Sequence, residues 1–204
     1  MRRLKPFILL IFLAPLAWLI WRWTHNQLGF NRIETVARFT GDWTIRFLLA
    51  SLAITPLRHL MPGWTWLVEY RRPLGLSAFF YGTLHFAHYL ALDKLWEWNE
   101  VVTDFTLRRF FIAGLLAWAV MIPLAATSFN KAIQWMGGKN WQRLHRLAYF
   151  SALAGVAHFY WQGKAAMLDP VIYAVIFWVL MGYRVWLWMQ KRRNKAARLK
   201  ARPA

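Results

Sequence analysis

Residues 73–92, PLGLSAFFYGTLHFAHYLAL, contain no lysine, arginine or acidic side chain and place His85 and His88 three positions apart. A helix needs about 20 mostly apolar residues to cross the roughly 30 Å hydrocarbon layer of a bilayer. The segment therefore predicts a transmembrane helix. Because an ionisable side chain is costly inside a membrane, its histidines also mark the helix as a candidate functional site.

Five more segments share this length and apolar character: 7–23, 43–60, 108–127, 144–162 and 170–189. Three of them have a proline in their interior, Pro15, Pro56 and Pro123, which membrane helices tolerate where neighbours satisfy the freed carbonyl. The predicted fold class is an all-α integral membrane protein. We expect a six-transmembrane-helix bundle over residues 1–190, followed by a basic cytoplasmic tail at 191–204.

The composition agrees with a membrane bundle and excludes several chemistries. Hydrophobic residues make up 59% of the chain and charged residues 17%, whereas a soluble domain has roughly 25% charged residues. Cysteine is absent, which excludes disulfides, thiolate catalysis, cysteine-bound zinc and iron–sulfur clusters. There is no GxGxxG after a strand and no Walker loop, so no nicotinamide- or nucleotide-binding unit is recognisable.

The charge pattern predicts the orientation in the membrane. Although a net charge of +18 would suit a nucleic-acid binder, the basic residues fall between alternate apolar segments and in the tail. They concentrate at the N-terminus, in 58–72, in 128–146 and after 190. An excess of lysine and arginine marks cytoplasmic segments, so both termini are expected in the cytoplasm. The opposite side receives seven of the eight acids: Glu34, Asp42, Asp93, Glu97, Glu100, Asp104 and Asp169.

His85 and His158 are expected at the same depth. The third and fifth segments run in the same direction, with His85 about 12 and His158 about 14 residues from their starts, so at about 1.5 Å per residue their depths agree within a few ångströms. Two opposed imidazoles in the outer half of a bundle suit axial ligation of a haem iron. The alternative is that each histidine simply hydrogen-bonds to a neighbouring helix.

Other metal and proton chemistries are poorly supported. A zinc or di-metal centre usually needs carboxylates, thiolates or three converging histidines. A proton pump would need buried carboxylates. The apolar segments supply almost no acidic residues and no cysteine.

Two more histidines leave alternatives open. His145 lies about 20 Å along the helix from His158, with its ring some 140° away around the axis. At that depth the third segment offers Arg71 and Arg72 rather than a histidine. His145 is thus a candidate ligand of a second haem with an unexpected partner, a contact of another cofactor, or an interfacial residue. His88 could replace His85 as a ligand, or bond a propionate, a neighbour or water.

Three motifs carry a resemblance to a known family: RRPLGLSAFFYGTLHFAHY (71–89), NWQRLHRLAYF (140–150) and VAHFYW (156–161). They resemble the MsrQ family, formerly YedZ, of the ferric-reductase-like transmembrane group. The resemblance extends over essentially the whole chain. It implies a b-type haem subunit of the bacterial inner membrane that passes electrons to MsrP. That partner is a periplasmic molybdenum-cofactor enzyme that repairs methionine sulfoxide in oxidised proteins.

The resemblance also implies cofactors and site residues. The family's motif histidines correspond to His85, His145 and His158. It implies one or two haems, with His85 and His158 as axial ligands of the iron and His145 as a contact of a second haem or of FMN. Electrons would come from the quinone pool or a cytoplasmic flavin reductase, and no residue is expected to be catalytic. The alternatives are a stand-alone membrane ferric or quinone reductase and a non-redox structural protein.

Overall fold

The computed structural model describes residues 5–162 and 168–200, and in this part of the chain all regular structure is helical. A 3₁₀ turn, Thr65–Tyr70, precedes the third helix, and a π-helical turn, Tyr89–Asp93, follows it. The α-helices are α1 Lys5–Thr24, α2 Arg32–Leu60, α3 Arg71–His88, α4 Trp98–Leu107, α5 Arg109–Ala126, α6 Asn130–Met136, α7 Gly138–His145, α8 Leu147–Gln162 and α9 Leu168–Lys200. The predicted all-helical class is confirmed.

The six long helices fall on the six predicted apolar segments, with two informative differences. Helix α2 begins at Arg32, well before residue 43, because the Asn31 side chain caps it by accepting the Glu34 N–H at 3.0 Å. Hydropathy alone misses this polar first turn. Helix α8 begins at Leu147 rather than 144, so His145 ends the separate helix α7. The predicted separation of His145 from His158 assumed one continuous helix, and that assumption was wrong.

The apolar surface of the bundle bears on the membrane prediction. Within the described ranges, two helices are long and apolar enough to cross a membrane, Arg109–Ala126 and Leu168–Lys195, and Leu10–Thr24 is a shorter apolar helix. Helix α9 exposes Ile172, Val175 and Val179 on its surface. A continuous apolar face of this kind is unusual on a soluble monomer. The count of six spans and the cytoplasmic termini stay predictions.

The long helices pack in pairs, α2 along α3 and α5 along α8, with α9 against α8 and α2. Tyr81 of α3 is completely buried in the core that joins them. Its hydroxyl accepts the Leu16 N–H at 3.0 Å and donates to the Phe12 carbonyl at 3.1 Å. Because a buried hydroxyl needs such partners, Tyr81 fixes α1 against α3 one turn below His85.

Pro56 interrupts the hydrogen-bond ladder of α2, and another helix compensates. Proline has no N–H, so the carbonyl four residues earlier, on Leu52, loses its helical partner. The Arg184 guanidinium of α9 donates to that Leu52 carbonyl. The predicted tolerance of proline thus has a specific cause at this position, and the bond ties α9 to α2.

Candidate functional site

One cavity of about 470 Å³ lies among α2, α3, α5 and α8, and both His85 and His158 line it. Cavities of about 300–1,000 Å³ are typical of cofactor and ligand sites. The two imidazole centroids are 6.1 Å apart, and the ring planes are nearly perpendicular, at 83°. The structure therefore brings together the two histidines that the sequence places at one depth.

The first half of the site joins α2 and α3. His85 Nδ1 lies 2.9 Å from the Ala37 carbonyl and 3.3 Å from Thr40 Oγ1. A carbonyl only accepts hydrogen bonds, so Nδ1 carries the proton and Nε2 keeps its lone pair. Gly41, four residues after Ala37, faces the same ring: a Cβ there would lie 3.4 Å from His85 Cε1.

The second half joins α5 and α8 and repeats the arrangement. His158 Nδ1 lies 2.6 Å from the Phe110 carbonyl, so its Nε2 is again the nitrogen with the lone pair. Gly114 stands four residues after Phe110, and a Cβ there would lie 2.5 Å from His158 Nδ1. In an α-helix a carbonyl points toward the residue four positions later. A ring that donates to this carbonyl therefore needs a small residue at that position.

The donor set suits one metal ion held between the rings. Two imidazoles on opposite sides of a metal, with bonds of about 2.0–2.1 Å and about 1.2 Å from nitrogen to ring centre, have centres roughly 6.4 Å apart. The separation of 6.1 Å is close to this value. Backbone carbonyls that hold the other ring nitrogen are the usual outer support of histidine ligands. The residues thus fit axial ligation of a haem iron, which stays a prediction.

Among the described residues, no group of three or more His, Asp, Glu or Cys side chains could hold a metal ion.

His88 uses the opposite nitrogen. Its Nε2 lies 2.8 Å from the Ile33 carbonyl, one turn before Ala37 on α2, so Nε2–H is the donor and Nδ1 keeps the lone pair. Nε2 is the ring nitrogen farther from the backbone. His85, with this nitrogen free, is therefore better placed than His88 to reach a metal in the cavity.

His145 lies apart from the cavity. Its ring stacks on Trp141 with centroids 3.9 Å apart, and its Nε2 is 3.1 Å from Thr127 Oγ1. The positive charges of Arg71 and Arg72 act on it electrostatically. Across the described ranges no second histidine is paired with it, so the structure brings together His85 and His158 but not His145.

A charged network lies at the edge of the cavity beside α4. The buried Asp104 carboxylate accepts from the Tyr89 hydroxyl at 2.9 Å and pairs with Lys94 and Arg108, each at 3.0 Å. Burial alone would raise the pKa of Asp104, but these hydrogen bonds and positive charges hold it below its usual value. The same Asp104 contact raises the pKa of Lys94. The network joins the π-helical turn, α4 and the start of α5.

The fold and the site define a helical protein with two imidazoles facing one cavity. Residues 40–156 match the family described as "Ferric reductase like transmembrane component". Over 95% of its length the chain is 43% identical to the protein-methionine-sulfoxide reductase heme-binding subunit MsrQ of Herminiimonas arsenicoxydans, covering 89% of that protein. A second protein of that name, from Polaromonas naphthalenivorans (strain CJ2), is 43% identical over 93% of this chain and 88% of its own. A third, from Azospira oryzae, is 47% identical over 78% of this chain and 69% of its own. The chain belongs to the MsrQ family of the ferric-reductase-like transmembrane group.

Proposed function

We propose that this protein is the haem b electron-transfer subunit of a methionine sulfoxide reductase system in the bacterial inner membrane. It would pass electrons from the quinone pool or a cytoplasmic flavin reductase to periplasmic MsrP. The observation that carries the proposal is the facing pair His85 and His158, each with Nδ1 held by a backbone carbonyl. Relatives named as heme-binding subunits of the reductase support it.

The residues of the chain have separate tasks in this proposal. A bound haem would supply a one-electron couple. His85 and His158 would hold the iron through Nε2, while the carbonyls of Ala37 and Phe110 fix the ring orientations. The surrounding apolar side chains would limit water access, and burial of this kind tunes a redox centre.

The basic end of the bundle is the proposed entry for electrons. We place both termini and the basic tail 191–204 in the cytoplasm, with six helices crossing the membrane. His145, under the influence of Arg71 and Arg72, is the proposed contact of FMN or of a second haem. Two arginines beside an aromatic stack would suit a flavin phosphate.

The acidic end is the proposed exit, where MsrP would collect electrons. The alternative, a stand-alone ferric or quinone reductase, draws on the description of the wider family. Stopped-flow mixing of the dithionite-reduced, detergent-purified protein with oxidised MsrP or with ferric citrate separates the two functions. We expect rapid haem oxidation by MsrP and slow oxidation by the chelate, whereas the reverse result would support the alternative.

A further inference from the structure

The cavity that contains His85 and His158 has one charged end and one apolar end. The charged residues lie near the starts of α2 and α9, in the π-helical turn after α3, and where α4 meets α5: Glu34, Arg38, Asp93, Asp104, Arg108 and Asp169. Deeper in the bundle the lining is apolar, with Ile45, Leu48, Leu115, Trp118 and Met121. A ligand that fits this cavity is therefore largely apolar with polar groups along one edge, and an anionic group there would need Arg38, Arg108 or His88 as its partner.

At the charged end, His88 has a polar atom without a hydrogen-bond partner. Both arginines there already have carboxylate partners: Arg38 pairs with Glu34 at 3.4 Å, and Arg108 with Asp104 at 3.0 Å. His88 is only 7% exposed, lines the cavity, and its Nδ1 has no hydrogen-bond partner. A buried polar atom without a partner costs free energy, so it points to a missing ligand group.

Other buried atoms without a partner do not point into this cavity. Among the described residues they are Asp42 Oδ1 and Arg184 Nε. Neither Asp42 nor Arg184 lines the cavity. His88 thus combines a buried, unpartnered nitrogen with a place in the wall of the candidate cofactor site.

We propose that His88 Nδ1 is a hydrogen-bond contact for a carboxyl group on the edge of the bound haem. This inference rests on the proposed haem site at His85 and His158. A haem b carries two propionates along one edge and is otherwise apolar, which matches the two ends of the cavity. One proton would lie between Nδ1 and a propionate oxygen, and such charge-assisted hydrogen bonds are the strong ones. The propionate edge would then face the acidic end of the bundle.

The competing explanation is that His88 only anchors α3 to α2 through the Ile33 carbonyl. Two substitutions separate these roles. In His88→Asn the amide group takes the place of Nδ1 but does not reach Ile33. In His88→Gln the longer amide takes the place of Nε2, keeps the bond to Ile33 and leaves no polar group at Nδ1.

The experiment measures haem release from detergent-purified holoprotein to excess apomyoglobin. Loss of a charge-assisted hydrogen bond predicts release from His88→Gln at least about tenfold faster than from wild type. His88→Asn should stay within about threefold of wild type. Each protein is also loaded with haem dimethyl ester, which lacks the carboxylates, and with that ligand His88→Gln and wild type should release at equal rates.

The other outcomes overturn the inference. Faster release from His88→Asn together with normal release from His88→Gln would show an anchoring role only. Unchanged release from both variants, or a His88→Gln defect that persists with the ester, would exclude the carboxyl contact. The proposed function is tested separately by the absorption spectrum of the wild type. A wild-type protein that binds no low-spin haem would refute that function.

Discussion

The two halves of the site have the same arrangement of residues but differ in the space between the glycine and the histidine ring. In each, a helix carbonyl accepts from a histidine of the partner helix, and a glycine stands four residues later: Ala37 and Gly41 on α2, Phe110 and Gly114 on α5. A Cβ at Gly41 would lie 3.4 Å from the His85 ring, whereas one at Gly114 would lie 2.5 Å from the His158 ring.

This difference indicates how each ring is held. His85 lies at van der Waals distance from the surface of α2 and has a second polar neighbour, Thr40 Oγ1, at 3.3 Å. His158 is set into the surface of α5, where only a glycine leaves room for it. The α5–α8 half should therefore tolerate less change than the α2–α3 half.

Removal of either histidine should have the largest effect. Because both rings are proposed to ligate one iron, His85→Ala and His158→Ala should each abolish the same low-spin haem signal in the absorption spectrum. His59→Ala is a suitable control, since His59 bonds the Tyr183 hydroxyl away from the cavity. A low-spin signal that survives in only one of the two variants would mean that the halves do not form a pair.

Gly114→Ala should remove most of the haem without removing a ligand. The added methyl group would overlap His158 Nδ1, and the ring must leave the Phe110 carbonyl or the helices must separate, at a cost of roughly 1–3 kcal/mol. Haem per chain, from the pyridine haemochrome assay, measures this loss. Gly75→Ala on α3 is the control, because Gly75 lies outside the cavity lining and its methyl group would meet only Ser51 Oγ at 3.8 Å. Equal haem content in both variants would contradict the inset position of His158.

Asp104→Asn should destabilise the α5–α8 half through the charged network at the edge of the cavity. Loss of the buried carboxylate weakens its contacts with Lys94 and Arg108 at the start of α5, with an expected cost of about 1–3 kcal/mol. The folded-state pKa of Asp104 is lowered, so its contribution is present above the unfolded value of 3.8 and is lost as pH falls through the folded value.

Thermal unfolding in detergent tests this effect at pH 7 and at decreasing acidic pH. We expect the wild type to melt above Asp104→Asn at neutral pH, with the gap closing in acid. A gap that stays constant to the lowest pH would show that the carboxylate charge is not its origin. Glu97→Gln, on an exposed acid at the N-terminal end of α4, is the control.

Gly41→Ala should have a small effect. The methyl group would meet the His85 ring at about ordinary contact distance, and alanine favours the helix by about 0.5–1 kcal/mol over glycine. Haem content should stay within about twofold of wild type in the same assay as Gly114→Ala. A loss as large as that of Gly114→Ala would remove the distinction between the two halves.

His145→Ala should leave the haem between the two halves unchanged, because its ring lies against Trp141 and Thr127, outside the cavity. We expect normal low-spin haem but slower reduction from the cytoplasmic side, measured with the protein in inverted vesicles. Loss of half the total haem would instead establish a second haem site at His145.

The sequence predicted the helices and the pairing of His85 with His158 because hydropathy and residue counting are local properties. It did not predict the role of Gly114, where the space that a Cβ would need is taken by the His158 ring. The two glycines, Gly41 and Gly114, are visible in the sequence. However, choosing the carbonyl that each ring nitrogen bonds requires the packing of helices distant in sequence.

The break before α8 was missed for a similar reason. Residues 140–150 have apolar side chains at 141, 144 and 147–150, a spacing that suits either one long helix or two. Tertiary contacts decide: Trp141 donates to the Thr127 carbonyl, and His145 Nε2 lies 3.1 Å from Thr127 Oγ1, which holds α7 as a separate helix. A hydropathy pattern does not register these contacts.

The central claim is that His85 and His158 are the two axial ligands of one haem. A reduced-minus-oxidised absorption spectrum of the detergent-purified protein, with haem quantified per chain, tests it most directly. We predict a sharp b-type signal in the wild type that is absent from both His85→Ala and His158→Ala. A flat wild-type spectrum after haem-replete expression would contradict the claim and leave the facing histidines as packing residues.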